Sequence, residues 1–551
     1  MDTDRPAQTR VAVGQRPPVT GRAPAGLAGL AALAGLVAAV AAMAAAEVAA
    51  LATGPGSVPV IAVGTAVIPL VPESVKQAAI ASFGTSDKTA LIVGTAVLLG
   101  LAAAAVGVFA RRRPLVGDLG IAALGLVGVL ATGRPGVGGP GSVIPSVVAA
   151  VVGILSLRRL LGRVRATGDD PSGGGGAGNN GGAGAGAGTG TGAGAGSRRM
   201  ALAGLGSVAA GAAAVGAVGA LGMRTRFGGA SARAGLTLPG PVDPAPAQPG
   251  GVDPGVPGAV PFITPNGDFY RIDTALFVPH IDPNGWRLRI RGMVDRELTL
   301  DLPTLLRRGL IERDITLNCV SNEVGGTLIG TARWLGVPLA PLLAEVGVNP
   351  RANQLVARDG HGMSIGSPVS VVTDGRDGML AVGMNGAPLP FEHGFPVRMV
   401  VPGLYGYVSA CKWITDIELT TFDAYDAYWV QRGWGQRGPV KVSARIDTPR
   451  DGAKRAAGTV VVAGVAWAQH VGIARVQVRV DDQPWADAQL APVLGPDTWR
   501  QWSWRYPATA GTHTLTVRAT TSSGEVQTDA VAGTIPDGAT GLHRVTIDVT
   551  S

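Results

Sequence analysis

The chain has 551 residues, with 46 Lys and Arg against 38 Asp and Glu for a formal charge of +8, and its mean hydropathy is +0.29. That length exceeds one domain, and two cysteines, Cys319 and Cys411, exclude a disulfide-rich scaffold while leaving a single bridge between them as the plainest reading. The positive charge sits in arginine clusters beside apolar runs, a pattern of membrane topology and not a nucleic-acid footprint.

In chain order, residues 1–170 read as a membrane domain of about four helices. "AGLAGLAALAGLVAAVAAMAAA" between Arg22 and Glu47 and "TALIVGTAVLLGLAAAAVGVFA" between Lys88 and Arg111 are each long enough to span. A third run lies between Asp118 and Arg134, and a fourth extends from about Val143 to Leu157. The piece Val58 to Pro72, with prolines at both ends, reads as interfacial. Arg5, Arg10, Arg16 and Arg22 precede the first helix, Arg111 to Arg113 follow the second, and Arg158, Arg159, Arg163 and Arg165 follow the fourth. With the N-terminus inside, all three clusters fall on the cytoplasmic side.

Residues 171–197 are nearly pure Gly, Ala, Thr and Asn, which cannot form a core and predict a flexible linker. A fifth helix is predicted over 198–224. Its start, Ser197-Arg198-Arg199, resembles a twin-arginine export signal, and a plain positive-inside anchor accounts for it equally well. The Pro/Gly-rich residues 225–260 predict a stalk outside the cytoplasm.

From 261 to 439 the pattern is that of an α+β domain. "WRLRIRG" alternates as a strand, "LTLDLPTLLRRG" passes from strand to helix at Pro303, and "IERDITLNCV" is a strand ending near Cys319. Residues 440–551 hold short alternating strands separated by Gly, Pro and Asp turns, predicting an immunoglobulin-like β-sandwich.

The six histidines show no zinc-ligand spacing, and there is no Walker loop, no dinucleotide fingerprint after a strand and no Gly-x-Ser-x-Gly. No Cys-x-x-Cys-His is present, so no c-type haem is encoded. Three blocks remain: "LNCVSN" followed by "IGTARWLGVPLAPLL", then "MNGAPLPFEHGFPVRMVVPG" with "CKW" close behind, then "TPRDG" and the strand-rich tail. In this order, residues 261–551 resemble the sulfite oxidase superfamily of molybdopterin enzymes.

The resemblance implies that Cys319 is the thiolate ligand of molybdenum. It implies a pterin-binding role for His393, Arg398 and Lys412, with Ser409, Arg271 and Asn322 beside them, and a dimerisation-type role for the tail. A thiolate at a strand end is a suitable soft ligand for such a centre. Where sulfite-oxidising members carry arginine after the cysteine element, this chain has Glu323 and Val324, and Trp434 stands nearest their active-site tyrosine. That exchange disfavours a dianionic substrate unless Arg333, Arg432 or Arg437 compensates.

These features predict a multi-pass plasma-membrane oxidoreductase. Its molybdenum–molybdopterin domain would be extracytoplasmic and perform oxo transfer on a small, sulfur-containing substrate. Electrons would pass through a separate partner or a quinone, and the tail would support a homodimer. Two other readings stay open: a sulfoxide reductase of the same fold, and a cofactor-free membrane-tethered binding protein.

Overall fold

A computed structural model describes residues 25–67, 71, 87–133, 141–166, 193–227, 233–275 and 278–551. Arg5, Arg10, Arg16 and Arg22 and residues 171–192 of the predicted linker lie outside the described residues.

Among the described residues, six α-helices form the N-terminal part: α1 (Ala25–Thr53), α2 (Pro59–Val67), α3 (Asp87–Arg112), α4 (Pro114–Thr132), α5 (Ile144–Ala166) and α6 (Ala193–Phe227). Five helices among the described residues are long and apolar enough to cross a membrane: Leu27–Thr53, Val93–Arg112, Pro114–Thr132, Ile144–Arg165 and Leu202–Met223. The shortest, at 19 residues, rises about 28 Å, close to the ~30 Å of hydrocarbon core. The helix α6 begins at Ala193, so the last residues of the predicted linker and the Arg198-Arg199 pair lie within it; alanine outweighs glycine as a helix former at its start.

Small residues set the helix packing. A Cβ on Gly35 would collide with the carbonyl oxygen of Ala103, and one on Gly107 with that of Ala31, so α1 and α3 approach backbone to backbone. Asp118 on α4 accepts two hydrogen bonds from Arg158 on α5, at 3.0 and 2.7 Å. Leu98, Leu101, Leu119 and Leu130 are largely exposed, on helices long and apolar enough to cross a membrane.

The chain from residue 233 onward is built of ten strands, then nine. The first ten are β1 (Arg287–Gly292), β2 (Leu298–Asp301), β3 (Ile311–Asn318), β4 (Ile329–Pro338), β5 (Gln354–Asp359), β6 (Ser364–Pro368), β7 (Met379–Met384), β8 (Ala387–Pro388), β9 (Arg398–Val400) and β10 (Ile414–Thr420). One sheet runs β2-β1-β10-β5-β6; the other runs β3-β4-β7-β8, with β9 on β7. Every residue of β7 is buried, which fits its uninterrupted apolar sequence "MLAVGM".

The remaining strands are β11 (Ser443–Thr448), β12 (Ala453–Ala456), β13 (Gly458–Trp467), β14 (Ile473–Val480), β15 (Ala486–Asp487), β16 (Gln489–Leu490), β17 (Arg500–Ala508), β18 (Gly511–Thr521) and β19 (His543–Thr550). They form two sheets, β11-β13-β17-β16 and β12-β19-β18-β14-β15. In β19 buried and exposed residues alternate, the two-residue period of a strand with one face on the core. Trp502, Val478, Leu515 and Ile547 fill the space between the sheets.

Residues 233–262 do not stand free as a spacer. Val242 donates to the Leu310 carbonyl at 2.8 Å, Glu312 to the Asp243 carbonyl at 2.9 Å, and Arg233 to the carbonyls of Leu389 and Pro388 at 2.7 Å. Val252 and Phe262 are buried with Ile329, Trp467 and Trp499. A few apolar side chains in a Pro/Gly-rich segment are enough to lay it along the globular surface, because proline and glycine lower its strand and helix propensity while the non-proline residues keep their backbone N–H donors and every residue keeps its carbonyl.

Replacing Gly107 by leucine is expected to destabilise the helical part by about 1–3 kcal/mol through overpacking. Gly162→Leu, at a position with open space around it, is expected to be neutral or better. Thermal unfolding of the full chain in detergent separates the two; equal melting temperatures would contradict the close α1–α3 packing.

Candidate active site

The strand β3 ends at Asn318, and the chain turns at once. Cys319 donates its backbone N–H to Leu328 at 2.9 Å, and Asn322 returns to the Cys319 carbonyl at 3.1 Å. The Asn322 side-chain oxygen accepts from the Leu328 N–H at 2.8 Å, tying the two ends of the loop together. Gly326 closes a turn onto the Glu323 carbonyl at 2.9 Å, and Gly325 has φ +79°, a conformation that favours glycine. Both cysteines are buried and free, so the bridge left open by the sequence is not made.

Burial pushes the Cys319 thiol up, against the pull of the Ser321 N–H and hydroxyl on the sulfur and of the Lys412 ammonium. The loop therefore offers donors to a thiolate in a setting that water alone would leave protonated. A cation at the sulfur would replace that proton.

Cys319 lies on the wall of a cavity of about 260 Å³ together with Arg398, Lys412, Glu323 and Trp434. On the inner side Arg398, from β9, is 3% exposed. Its guanidinium lies 4.9 Å from the Trp334 ring and donates to the His393 carbonyl at 3.2 Å, while its Nε has no partner. Burial brings it down to about 10. Lys412 donates to Asp273 at 3.1 Å and to the Glu392 carbonyl at 3.0 Å, and burial brings it down to about 8. The residue after it, Trp413, has φ +53°, a region bulky side chains avoid, and its indole is held by the Phe391 carbonyl at 2.9 Å. That backbone twist precedes β10 and fixes where the Lys412 stem points.

Four of the residues singled out by sequence lie off the cavity wall. His393 is 1% exposed, with Nε2 donating to the Asn266 carbonyl at 3.0 Å and Nδ1 without a partner. Burial brings it down to about 4, so it is neutral. Arg271 pairs with Asp273 at 3.0 Å, Ser409 donates to the carbonyls of Leu404 and Tyr405 at 3.0 Å, and Asn322 braces the cysteine loop.

The outer side is aromatic and acidic. Trp434 is 5% exposed, packs beside Tyr407 at 5.9 Å between centroids, and its indole N–H has no acceptor. Trp429, Met363 and Asp359 share this wall. Burial raises the Asp359 carboxyl, against the N–H groups of His361 and Met363 that donate to it. The three arginines that were to offset Glu323 are engaged elsewhere: Arg333 with Asp314 at 2.8 Å, Arg432 over the Tyr428 ring at 3.5 Å, and Arg437 over Phe422 at 5.8 Å.

Sequence reasoning missed Asp273, Ser321, Tyr407 and Thr534, all of which line the cavity. Asp273 and Ser321 were within reach, two residues after Arg271 and Cys319. Thr534 carries no local signal, since it comes from the far end of the chain.

Residues 275–429 match the family model of the oxidoreductase molybdopterin binding domain, and 443–517 match that of the bacterial Ig domain. The chain is 31% identical to mitochondrial sulfite oxidase of Macaca fascicularis over 49% of this chain and 58% of that protein. It is 30% identical to sulfite oxidase of Gallus gallus over 49% of this chain and 69% of that protein. The crystal structure of the sulfane dehydrogenase SoxCD from Paracoccus pantotrophus aligns with a TM-score of 0.46 at 23% identity, covering 53% of this chain and 84% of that one. The chain thus spans just under three-fifths of the mammalian relative's length.

The buried lysine gives a signed pH dependence. Lys412 falls from its ordinary 10.5 to about 8, so between those values the folded chain has released a proton that the unfolded chain keeps. Stability of the cofactor-free protein is therefore expected to rise with pH across that window. Melting curves of the full chain and of Lys412→Met, taken from about pH 7.5 to 10.5, test this; parallel curves would contradict it.

Proposed function

Because the chain belongs to the sulfite oxidase family, we propose that it is a molybdenum- and molybdopterin-dependent oxidoreductase acting on a small, sulfur-containing substrate. The observation that carries this reading is the buried positive charge beside Cys319. Arg398, on the wall of the cavity, has an unpartnered Nε. Burying a guanidinium N–H unpaired is costly, and an anionic ligand that accepts its hydrogen bond would satisfy it. The residues present therefore fit a phosphate-bearing pterin with its metal at the cysteine sulfur.

In this reading Cys319 holds the metal, its thiolate stabilised by the Ser321 N–H and hydroxyl. Arg398 and Lys412 receive the cofactor's negative charge, with Asp273 holding the Lys412 ammonium in place. His393, Arg271, Asn322 and Ser409 act from behind: His393 and Ser409 fix the backbone around the two cations, Asn322 fixes the loop, and Arg271 orients Asp273. The bound metal centre supplies two-electron oxo transfer.

The substrate side favours an organic sulfur compound over the sulfite dianion. Glu323 and Asp359 face the cavity, and Arg333, Arg432 and Arg437 are engaged elsewhere, which disfavours a second anion. The Trp434 indole is a donor only, suited to a neutral S=O oxygen. Reduction of a sulfoxide is accordingly the direction we favour. The cofactor-free binding protein is the weaker reading, because it leaves the buried guanidinium without a counter-charge.

The five apolar helices and the arginines after α3 and α5 support a multi-pass plasma-membrane protein with its catalytic domain outside the cytoplasm. Export of the folded domain through the twin-arginine route fits a cofactor loaded before translocation. Electrons would be exchanged with a separate carrier or a quinone, and the sandwich is a candidate homodimer surface.

Full-length protein purified from its native membrane is expected to contain molybdenum at about one per chain, and Cys319→Ser to lose the metal or the activity. A metal-free wild type, from cells that load other molybdoenzymes, would overturn the assignment. With an artificial electron carrier, methionine sulfoxide is expected to turn over faster than sulfite. Glu323→Arg is expected to move the ratio toward sulfite by about tenfold or more; an unchanged ratio would remove Glu323 from substrate selection.

A further inference from the structure

The cysteine loop is held from two sides, and only one of them belongs to the molybdopterin-binding domain. On the near side stands the Asn322 brace described above. On the far side the β-sandwich reaches across. Arg445 of β11, 4% exposed, donates from Nε to Asp447 at 2.6 Å and from Nη1 to the Gly326 carbonyl at 2.8 Å, 119 residues away in sequence. His543, the first residue of β19, accepts at Nδ1 from the Ile446 N–H at 3.0 Å, which places its own proton on Nε2. The Cδ2 and Nε2 edge of that ring fills the space a Cβ on Gly325 would need. A Cβ on Gly541 would rest 3.7 Å from Val324, so the chain entering β19 lines the same stretch of loop.

We propose that the sandwich is a working part of the site within its own chain: His543 and Arg445 are positioning residues that clamp residues 323–326 and so set the orientation of the Cys319 sulfur. This goes beyond a dimerisation role for the sandwich, and it rests on the reading of Cys319 as the metal ligand. Three features require the clamp to act on geometry and not merely on stability. Gly325 has a positive φ and no side chain, so the loop cannot anchor itself there. The Gly326 carbonyl receives its hydrogen bond from a buried guanidinium already oriented by Asp447, a charge-assisted contact with little freedom. Cys319 and Gly326 belong to the same short loop, whose ends are joined by the Asn322–Leu328 hydrogen bond, so a shift at one side is passed to the other.

The test uses full-length His543→Ala and Arg445→Lys, with Val478→Ala as a control that weakens the sandwich core from β14, a strand that holds neither clamp residue and is separated from β19 by β18. Two readouts are taken: the rate at which iodoacetamide alkylates Cys319 in cofactor-free protein, followed by peptide mass spectrometry, and the thiolate-to-metal absorption band of loaded protein. His543→Ala is expected to raise the alkylation rate about tenfold by loosening the loop, and to shift the band at unchanged metal content. Val478→Ala is expected to do neither, even where its melting temperature falls as far. Should His543→Ala not fold, Arg445→Lys, which keeps the charge beside Asp447 but not the reach to Gly326, carries the same expectation. Wild-type alkylation and band in every clamp variant that folds, or the same changes in Val478→Ala, would overturn the proposal. Molybdenum-free wild type would instead strike the metal-ligand reading, leaving the alkylation arm to decide the clamp.

Discussion

The arrangement depends on two cations that the fold buries beside a thiol. Removing a guanidinium and an ammonium from water opposes folding unless counter-charge or hydrogen bonds replace the solvent. The protein provides part of that. Asp273 faces Lys412, and the Trp334 ring lies under Arg398. It leaves part of it unmet at Arg398 Nε. In the proposed reading that unmet donor, beside a thiol able to hold a soft metal, suits an anion, and the backbone bears the cost of the arrangement. The left-handed conformation at Trp413 falls directly beside Lys412, where strain is kept only because the neighbouring contacts hold it.

Charge is divided across the cavity. The inner wall is cationic and the outer wall holds Glu323, Asp359, Trp429 and Trp434. A cofactor anion and a substrate anion would compete for Arg398 and Lys412 alone, since Arg333, Arg432 and Arg437 are each committed to another residue. The exchange of arginine for Glu323, read first as a local change in sequence, is thus reinforced by the three-dimensional arrangement. Selection would then rest on shape and on one donor, the Trp434 indole, more than on net charge.

Much of the fold was legible because its signals are local. Alternation in "WRLRIRG" and "HRVTIDVT", the apolar runs between arginines, and Pro303 at the start of a helix each depend on neighbours within a few residues. Cys319, Arg398, Lys412, Glu323 and Trp434 were legible as members of spaced blocks, and they do meet at one cavity. What the sequence did not disclose is non-local. Asp273 matters only because Lys412 lies against it from 139 residues away. Thr534 sits in a turn-rich stretch, and nothing in the alternation of β19 marks His543, its first residue, as lying against the cysteine loop. The Pro/Gly segment before 262 was read as a spacer because composition reports propensity, while its docking is decided by a few apolar anchors such as Phe262.

The contacts that brace the cysteine loop span very different sequence separations. The Asn322–Leu328 bond is six residues long and can form as soon as β3 and β4 pair, whereas the Arg445–Gly326 bond must bridge 119 residues. Closing the longer loop costs more entropy and occurs only once both domains have largely formed. A loop clamped in this way takes its final geometry late, after the sandwich is in place. Any cofactor that requires that geometry would be secured only in a nearly complete chain. That order joins the C-terminal domain to the proposed chemistry: with the clamp in place, the sandwich makes the cysteine orientation conditional on finished folding.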